Sequence, residues 1–420
     1  MRTKSPILLS LLGLVLSACS SSAPPAANEP ATVPPEILML GTANGPMTVE
    51  VPAGSVLFRR DGALVSPDGR HVYSVSRTGD RSVLETADAV SGDSLATVSV
   101  EGAHDLSVVS ASGASAALVD PLPKGWEPGV PVPRARTTIV IADPTGQREP
   151  LTFDLEGNYE PEAFSTDDSK LFLIQHLPAE APTVYRVTML DLQMRDVFPV
   201  FGPYKGAPER MPGTRLEQVL APDTNRLYTL YSSTQPGYAP HNAPVAHNAA
   251  VSFVHVLDLH EGWAHCVGLP KQLWDRPASE QAMAVSPDGT SLYVVDPARG
   301  VVAAMDTGSL ETRVATNVAF GAVTDEDASV QVSADGSTLF VVAGGPTSTL
   351  FALDAQTFDV VHRAELDGAI SSIGLSADGA RLYAATGSGL SVLDPMTGDA
   401  LADVPLAAAA AVFRVSPLAA

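Results

Sequence analysis

The chain has 420 residues, 45% of them hydrophobic, with 47 acidic side chains against 25 basic ones and a formal net charge of −22 at pH 7. A surface this negative argues against nucleic acid or anionic lipid headgroups as partners, and fits a solvated acidic shell or cationic ligands. Only two cysteines occur, Cys19 and Cys266.

In chain order, the first element is an export signal. Arg2 and Lys4 precede an apolar stretch, Ile7 to Leu16, and small residues lead into Cys19. That three-part layout is a secretory signal and too short for a stop-transfer helix. The tetrad Leu16-Ser17-Ala18-Cys19 resembles the lipobox of bacterial lipoproteins. The resemblance implies cleavage before Cys19 and lipidation of its thiol, so that residue 19 becomes the bilayer contact. Cys266 then has no intramolecular disulfide partner, and reads as a small buried side chain. The resemblance also implies a lipid-anchored, extracytoplasmic location, on the cell membrane or the outer membrane; Ser20 carries no aspartate-type retention signal.

Residues 20–36 (SSSAPPAANEPATVPPE) hold five prolines and three serines and no aromatic residue. Such a stretch buries too little apolar surface to fold and reads as a tether, with a reach of ~50 Å at ~3 Å per residue. The expected organisation is therefore a signal peptide over 1–18, an acylated cysteine with its tether over 19–36, and one folded domain over 37–420.

The body repeats a phrase: a short apolar strand, a Ser-x-Asp-Gly turn, then a strand with Leu-Tyr or Leu-Phe. Clear copies are ALVSPDGRHVYSV (63–75), MAVSPDGTSLYVV (283–295), VQVSADGSTLFVV (330–342) and IGLSADGARLYAA (373–385). Weaker copies lie at 107–119, 162–174 and 218–230, which makes seven. Between the markers Ser66, Ser110, Ser165, Ala221, Ser286, Ser333 and Ser376 the spacings are 44, 55, 56, 65, 47 and 43. The shortest suits four short strands with tight turns, the size of one propeller blade. Pro67 and Pro287 preset the turn, its Asp bonds back to the backbone, and its Gly supplies positive φ. These aspartates recur with the turn and are read as structural. The aromatic at fixed offset (Tyr73, Phe172, Tyr228, Tyr293, Phe340, Tyr383) is expected to pack between blades.

With the pieces DPTG (143–146) and DPMTG (394–397), these phrases resemble the YVTN-type and WD40-like β-propeller repeats of exported bacterial proteins. The fold class expected is all-β, a single β-propeller of four-stranded blades with seven complete units. Strand-like segments at 36–41, 47–52 and 411–417 lie outside those units. They either decorate a seven-bladed ring or build a composite eighth blade from both ends of the chain, which leaves no exposed edge.

Departures from the repeat are where function is sought, because insertions map to loops. They fall at 120–136, 175–184 and 232–250, and offer Trp126, Tyr238, His241 and His247 as ligand-loop residues. Five of nine histidines lie within 241–265, but their spacing matches no recognised metal pattern, so no metal and no cofactor is expected. Nucleophile-elbow, zincin, phosphate-loop and haem-attachment motifs are absent from the sequence. The leading expectation is a monomeric, non-catalytic binding or scaffold platform for an envelope protein, peptide or glycan. The alternative is a lactonase-like or metal- or quinone-dependent dehydrogenase propeller, with candidates among His104, Asp120, Asp223, His241 and His247.

Overall fold

The computed structural model describes residues 33–124, 126, 130–203, 210–233, 251–274, 280–321, 323, 328–406 and 411–417. The signal, Cys19, most of the tether, Tyr238, His241 and His247 lie outside them. The described residues form eight four-stranded antiparallel sheets, the blades of one β-propeller. Blade 1 combines three strands from 36–59 with the strand Ala411–Pro417. Blades 2 to 8 occupy 64–101, 105–156, 158–199, 214–268, 282–316, 328–366 and 370–405. At six of the eight junctions the first strands of neighbouring blades lie side by side. Of the two expected outcomes, the ring is eight-bladed and its closing blade is composite.

The turns follow the chemistry of the repeated phrase. In blade 7 the Ser333 Oγ donates to Asp335 Oδ1 at 2.6 Å, the same carboxylate accepts from the Ser337 amide at 3.0 Å, and Gly336 takes φ 74°. Blades 2, 6 and 8 repeat this pattern. Two of the three weaker phrases put a non-glycine residue in the left-handed position, Asp168 at φ 57° and Thr224 at φ 60°. These hydrogen bonds hold Asp335 and Asp167 down to about 2. The turn aspartates thus stay ionised, which leaves that face of the ring acidic.

Packing lies between blades. Tyr73, Phe172, Tyr228, Tyr293, Phe340 and Tyr383 are all buried, and each sits in the apolar cluster between its own blade and the next. Burying such a ring contributes about 1.5–3 kcal/mol.

Ring closure rests on two contacts. Ala411–Pro417 pairs antiparallel with Glu36–Thr42, and Gly374 of blade 8 lets Val412 approach, since a Cβ there would meet its Cγ1 at 2.6 Å. Beside this seam, Glu36 accepts from Arg381 Nη2 at 2.8 Å and from the Tyr383 hydroxyl. The Arg381 and Glu36 side chains are 10% and 5% exposed. Removing one partner of a buried ion pair leaves the other uncompensated, at a cost of about 3 kcal/mol, whereas exposed pairs are worth under ~1 kcal/mol. Glu36→Ala is therefore expected to lower the urea midpoint by the larger amount; a change in the exposed-pair range would show that the seam closes without this pair.

Candidate functional site

In an up-and-down blade the first-to-second and third-to-fourth connections share one face, and the second-to-third and blade-to-blade connections share the other. All three long insertions are second-to-third connections, at 120–135 in blade 3, 178–183 in blade 4 and 234–250 in blade 5. The strand ends that flank them lie on one face of three consecutive blades. The chain enters its first strand at Glu36, on the opposite face, with the serine–aspartate turns.

The blade 3 and blade 4 loops are joined. Asn158, first residue of blade 4 and buried, donates from Nδ2 to the Val132 carbonyl at 2.7 Å and to the Ala179 carbonyl at 3.0 Å. The Arg134 amide reaches Ala179 as well, at 3.1 Å. Beneath this junction is a cleft of about 280 Å³, lined by loop residues Asp120, Leu122, Val130 and Arg134 and by strand residues Asp105, Tyr159, Glu160 and His176. Leu122 and Val130 are 49% and 46% exposed, an apolar rim over a polar floor.

The charges of the floor are paired. Asp105 pairs with Arg77. Asp120 accepts from the Thr138 amide at 3.0 Å and faces Arg134 at 3.7 Å. Glu160 meets His176 Nε2 at 3.2 Å and Arg215 Nη2 at 3.1 Å. Behind the floor, Arg215 also donates to Glu162 at 3.0 Å, and Gln218 donates to Glu162 at 2.7 Å. Two carboxylates on one strand thus grip one guanidinium of the next blade, and their environments push them apart. Desolvation works against Glu160, but its bonds to His176 and Arg215 hold it below the usual carboxylate range. Burial dominates at Glu162, whose side chain is 1% exposed, and pushes it up to about 7 despite Arg215.

Of the residues singled out from sequence, Asp120 lines the cleft. Trp126 does not: its Nε1 turns back onto the Val130 carbonyl of its own loop at 2.8 Å. His104 is buried next to Asp105, with Nε2 on the Glu101 carbonyl at 2.8 Å. Asp223 is on the opposite face, bonded to Asn225 within its turn. Of the histidines in the 241–265 cluster that are described, His260 is exposed on the turn face, 3.2 Å from Thr166, whereas His255 and His265 are buried on paired strands of blade 5. Among the described residues no three His, Cys, Asp or Glu side chains gather as a metal site. Asn158, Glu160, Glu162, His176 and Arg215 were missed. Their signal is the phrase NYEPEAF, which carries two glutamates where the first strands of blades 6 to 8 read AMAV, ASVQV and ISSIGL.

A larger groove of about 630 Å³ between blades 6 and 7, on the turn face, contains Asp288, Asp335, Asp354 and Arg313. Its carboxylates are bonded within their own turns, and Arg313 is bonded to the Ala355 and Gln356 carbonyls. It has the chemistry of turns.

A glutamate whose folded pKa is raised binds more protons in the folded state. Its contribution is full below the ordinary value of 4.5 and is lost as pH rises to about 7. Glu162→Gln removes that titration. The expected outcome is a flatter decline of melting temperature between pH 5 and 7, within about a unit of the pKa values compared. An unchanged slope would mean that Glu162 is ionised throughout.

No protein-family model matches the chain, and no curated protein matches it. Solved structures do. Apo AztD from Citrobacter koseri superposes with a TM-score of 0.53 at 11% identity, covering 91% of this chain and 98% of that one. Dihydro-heme d1 dehydrogenase NirN, in complex with DHE, gives 0.51 at 15% identity, covering 91% and 76%. The periplasmic gluconolactonase PpgL of Pseudomonas aeruginosa gives 0.44 at 17% identity, too low to bear on the chemistry. At such identities the likeness is one of fold: the chain shares the bacterial β-propeller architecture of AztD and NirN.

Proposed function

We propose that this protein is an exported lipoprotein, anchored through Cys19, whose propeller is a non-catalytic binding platform for an envelope protein, peptide or glycan. The observation that carries this reading is that the strand ends flanking the three insertions lie on one face of consecutive blades, opposite the face at which the chain enters its first strand. A tether attached there leaves the loop face unobstructed for partners.

The cleft supports binding over cofactor chemistry by its size. At about 280 Å³ it is at the bottom of the range for small-molecule pockets, roughly 300–1,000 Å³, and suits one side chain or sugar unit. Its apolar rim at Leu122 and Val130 supplies contact area, and the paired charges beneath supply orientation.

Two measurements test this. Cys19→Ser is expected to abolish incorporation of labelled fatty acid and release the protein from membranes; continued membrane retention would remove the anchor. Envelope cross-linking should capture a partner that the double variant Leu122→Asp/Val130→Asp loses, while Met396→Asp on the opposite face keeps it. Capture that survives the loop-face variant, or substrate turnover by the purified protein, would overturn the platform.

A further inference from the structure

The core between blades 4 and 5 contains a cluster that the cleft does not use. In the third strand of blade 5, Val251–Asp258, alternation puts Phe253, His255 and Leu257 on one face of the sheet. Phe253 and Leu257 belong to the apolar cluster shared with blade 4, as do Cys266 and Met211. His255 is directly opposite Cys266 in the antiparallel register. Residues so paired hold their Cβ atoms about 4.5–5.5 Å apart on the same face. The Cys266 thiol donates in turn to the Met211 thioether, Sγ to Sδ at 3.2 Å. Imidazole, thiol and thioether are 1%, 2% and 1% exposed.

One fact about His255 points beyond packing: its Nδ1 is sealed from water yet has no hydrogen-bond partner, and a buried polar atom left unmet is costly. Its ring stands edge-on to Tyr231, with centroids 6.3 Å apart.

The donor set selects the ligand. Thiolate, thioether and imidazole without a carboxylate form a soft set that favours Cu(I). Charge points the same way. A monovalent cation on one thiolate is neutral overall, whereas a divalent cation leaves a net positive charge in an apolar core, at high cost. Zinc requires four ligands, and the described residues offer no such group.

We propose that Cys266, Met211 and His255 form a buried three-ligand site for Cu(I). On binding, the S–H bond of Cys266 breaks, its proton passes to solvent, and the thiolate sulfur bonds the metal, so one proton is released per copper without redox change. Met211 is the ligand that comes from outside blade 5. It belongs to the segment joining blades 4 and 5, on the loop face, and is held to Tyr185 by a pair of backbone hydrogen bonds of 2.8 and 2.7 Å.

The test uses the full chain carrying Cys19→Ser, which leaves Cys266 as its one cysteine. Cu(I) supplied anaerobically as its bicinchoninate complex is expected to transfer in one equivalent, with sulfur in the first shell by X-ray absorption. Cys266→Ser and His255→Gln are each expected to weaken uptake by at least the ~10–100-fold that loss of an outer-shell partner costs, and Met211→Leu, which conserves volume, to weaken it less. If a variant fails to fold, the unsubstituted site still decides: uptake must release one proton per copper and give copper–sulfur scattering. No transfer, a first shell of nitrogen and oxygen alone, uptake without proton release, or undiminished uptake by a folded Cys266→Ser chain would overturn the site.

Discussion

A ring of sheets has no edge only if its two ends meet, and this chain makes them meet without a disulfide. Its two cysteines are at 19 and 266, and Cys266 is buried between blades 4 and 5. Closure is left to the pairing of Ala411–Pro417 on Glu36–Thr42 and to Glu36 beneath Arg381 and Tyr383. This seam also settles direction. Because the C-terminal strand is first in blade 1 and Glu36 opens the second, the chain enters where other blades make their serine–aspartate turn. The opposite face is thereby left to the second-to-third loops, and growth of those loops does not disturb the seam.

The ring is regular on one side and elaborated on the other, and its inner strands record the difference. Small hydroxyls link neighbouring first strands in the regular part: Ser329 accepts from the Ile373 amide at 3.2 Å, and Ser372 from the Val412 amide at 3.3 Å. Glu217 does the same for the Met283 amide at 2.7 Å between blades 5 and 6. Between blades 4 and 5 the link becomes a guanidinium gripped by two carboxylates. An ion pair constrains orientation more than a single hydroxyl bond does. The stiffest lateral link thus occurs where the insertions concentrate, and Asn158 fastens two of those loops to the same strand.

Most of the fold was legible in the sequence because its signal is local. A turn that needs Ser, Asp and Gly at fixed offsets announces itself four times in full and three times in part, and an aromatic after six of them marks the buried strand. The composite blade 1 has no such phrase, since its first strand comes from 411–417 and its second from 36–42; only the strand-like segments at 36–41, 47–52 and 411–417 hinted at it. The cleft was half legible. Insertion lengths pointed to the right loops, and Asp120 was among the named candidates. Trp126, the conspicuous aromatic, bonds within its own loop, while Asn158 and Glu160 come from a strand that the repeat did not mark and His176 from the edge of the 175–184 insertion. Strand residues beside an insertion meet it only in three dimensions, so spacing along the chain does not reveal them.

The electrostatics of the loop face bear on binding against catalysis. Acid–base chemistry needs a group near neutrality that a ligand can touch. The carboxylates that line the cleft are committed to cations or amides, Asp105 to Arg77, Asp120 to Thr138 and Arg134, and Glu160 to His176 and Arg215. Glu160 is held ionised by those donors. The glutamate behind it that does titrate near neutrality, Glu162, is walled off by Arg215 and Gln218. Its proton therefore adjusts the grip between two blades, and what a ligand meets in the cleft is a fixed pattern of paired charge beneath two exposed aliphatic side chains. That arrangement is the surface the proposed platform offers to a partner.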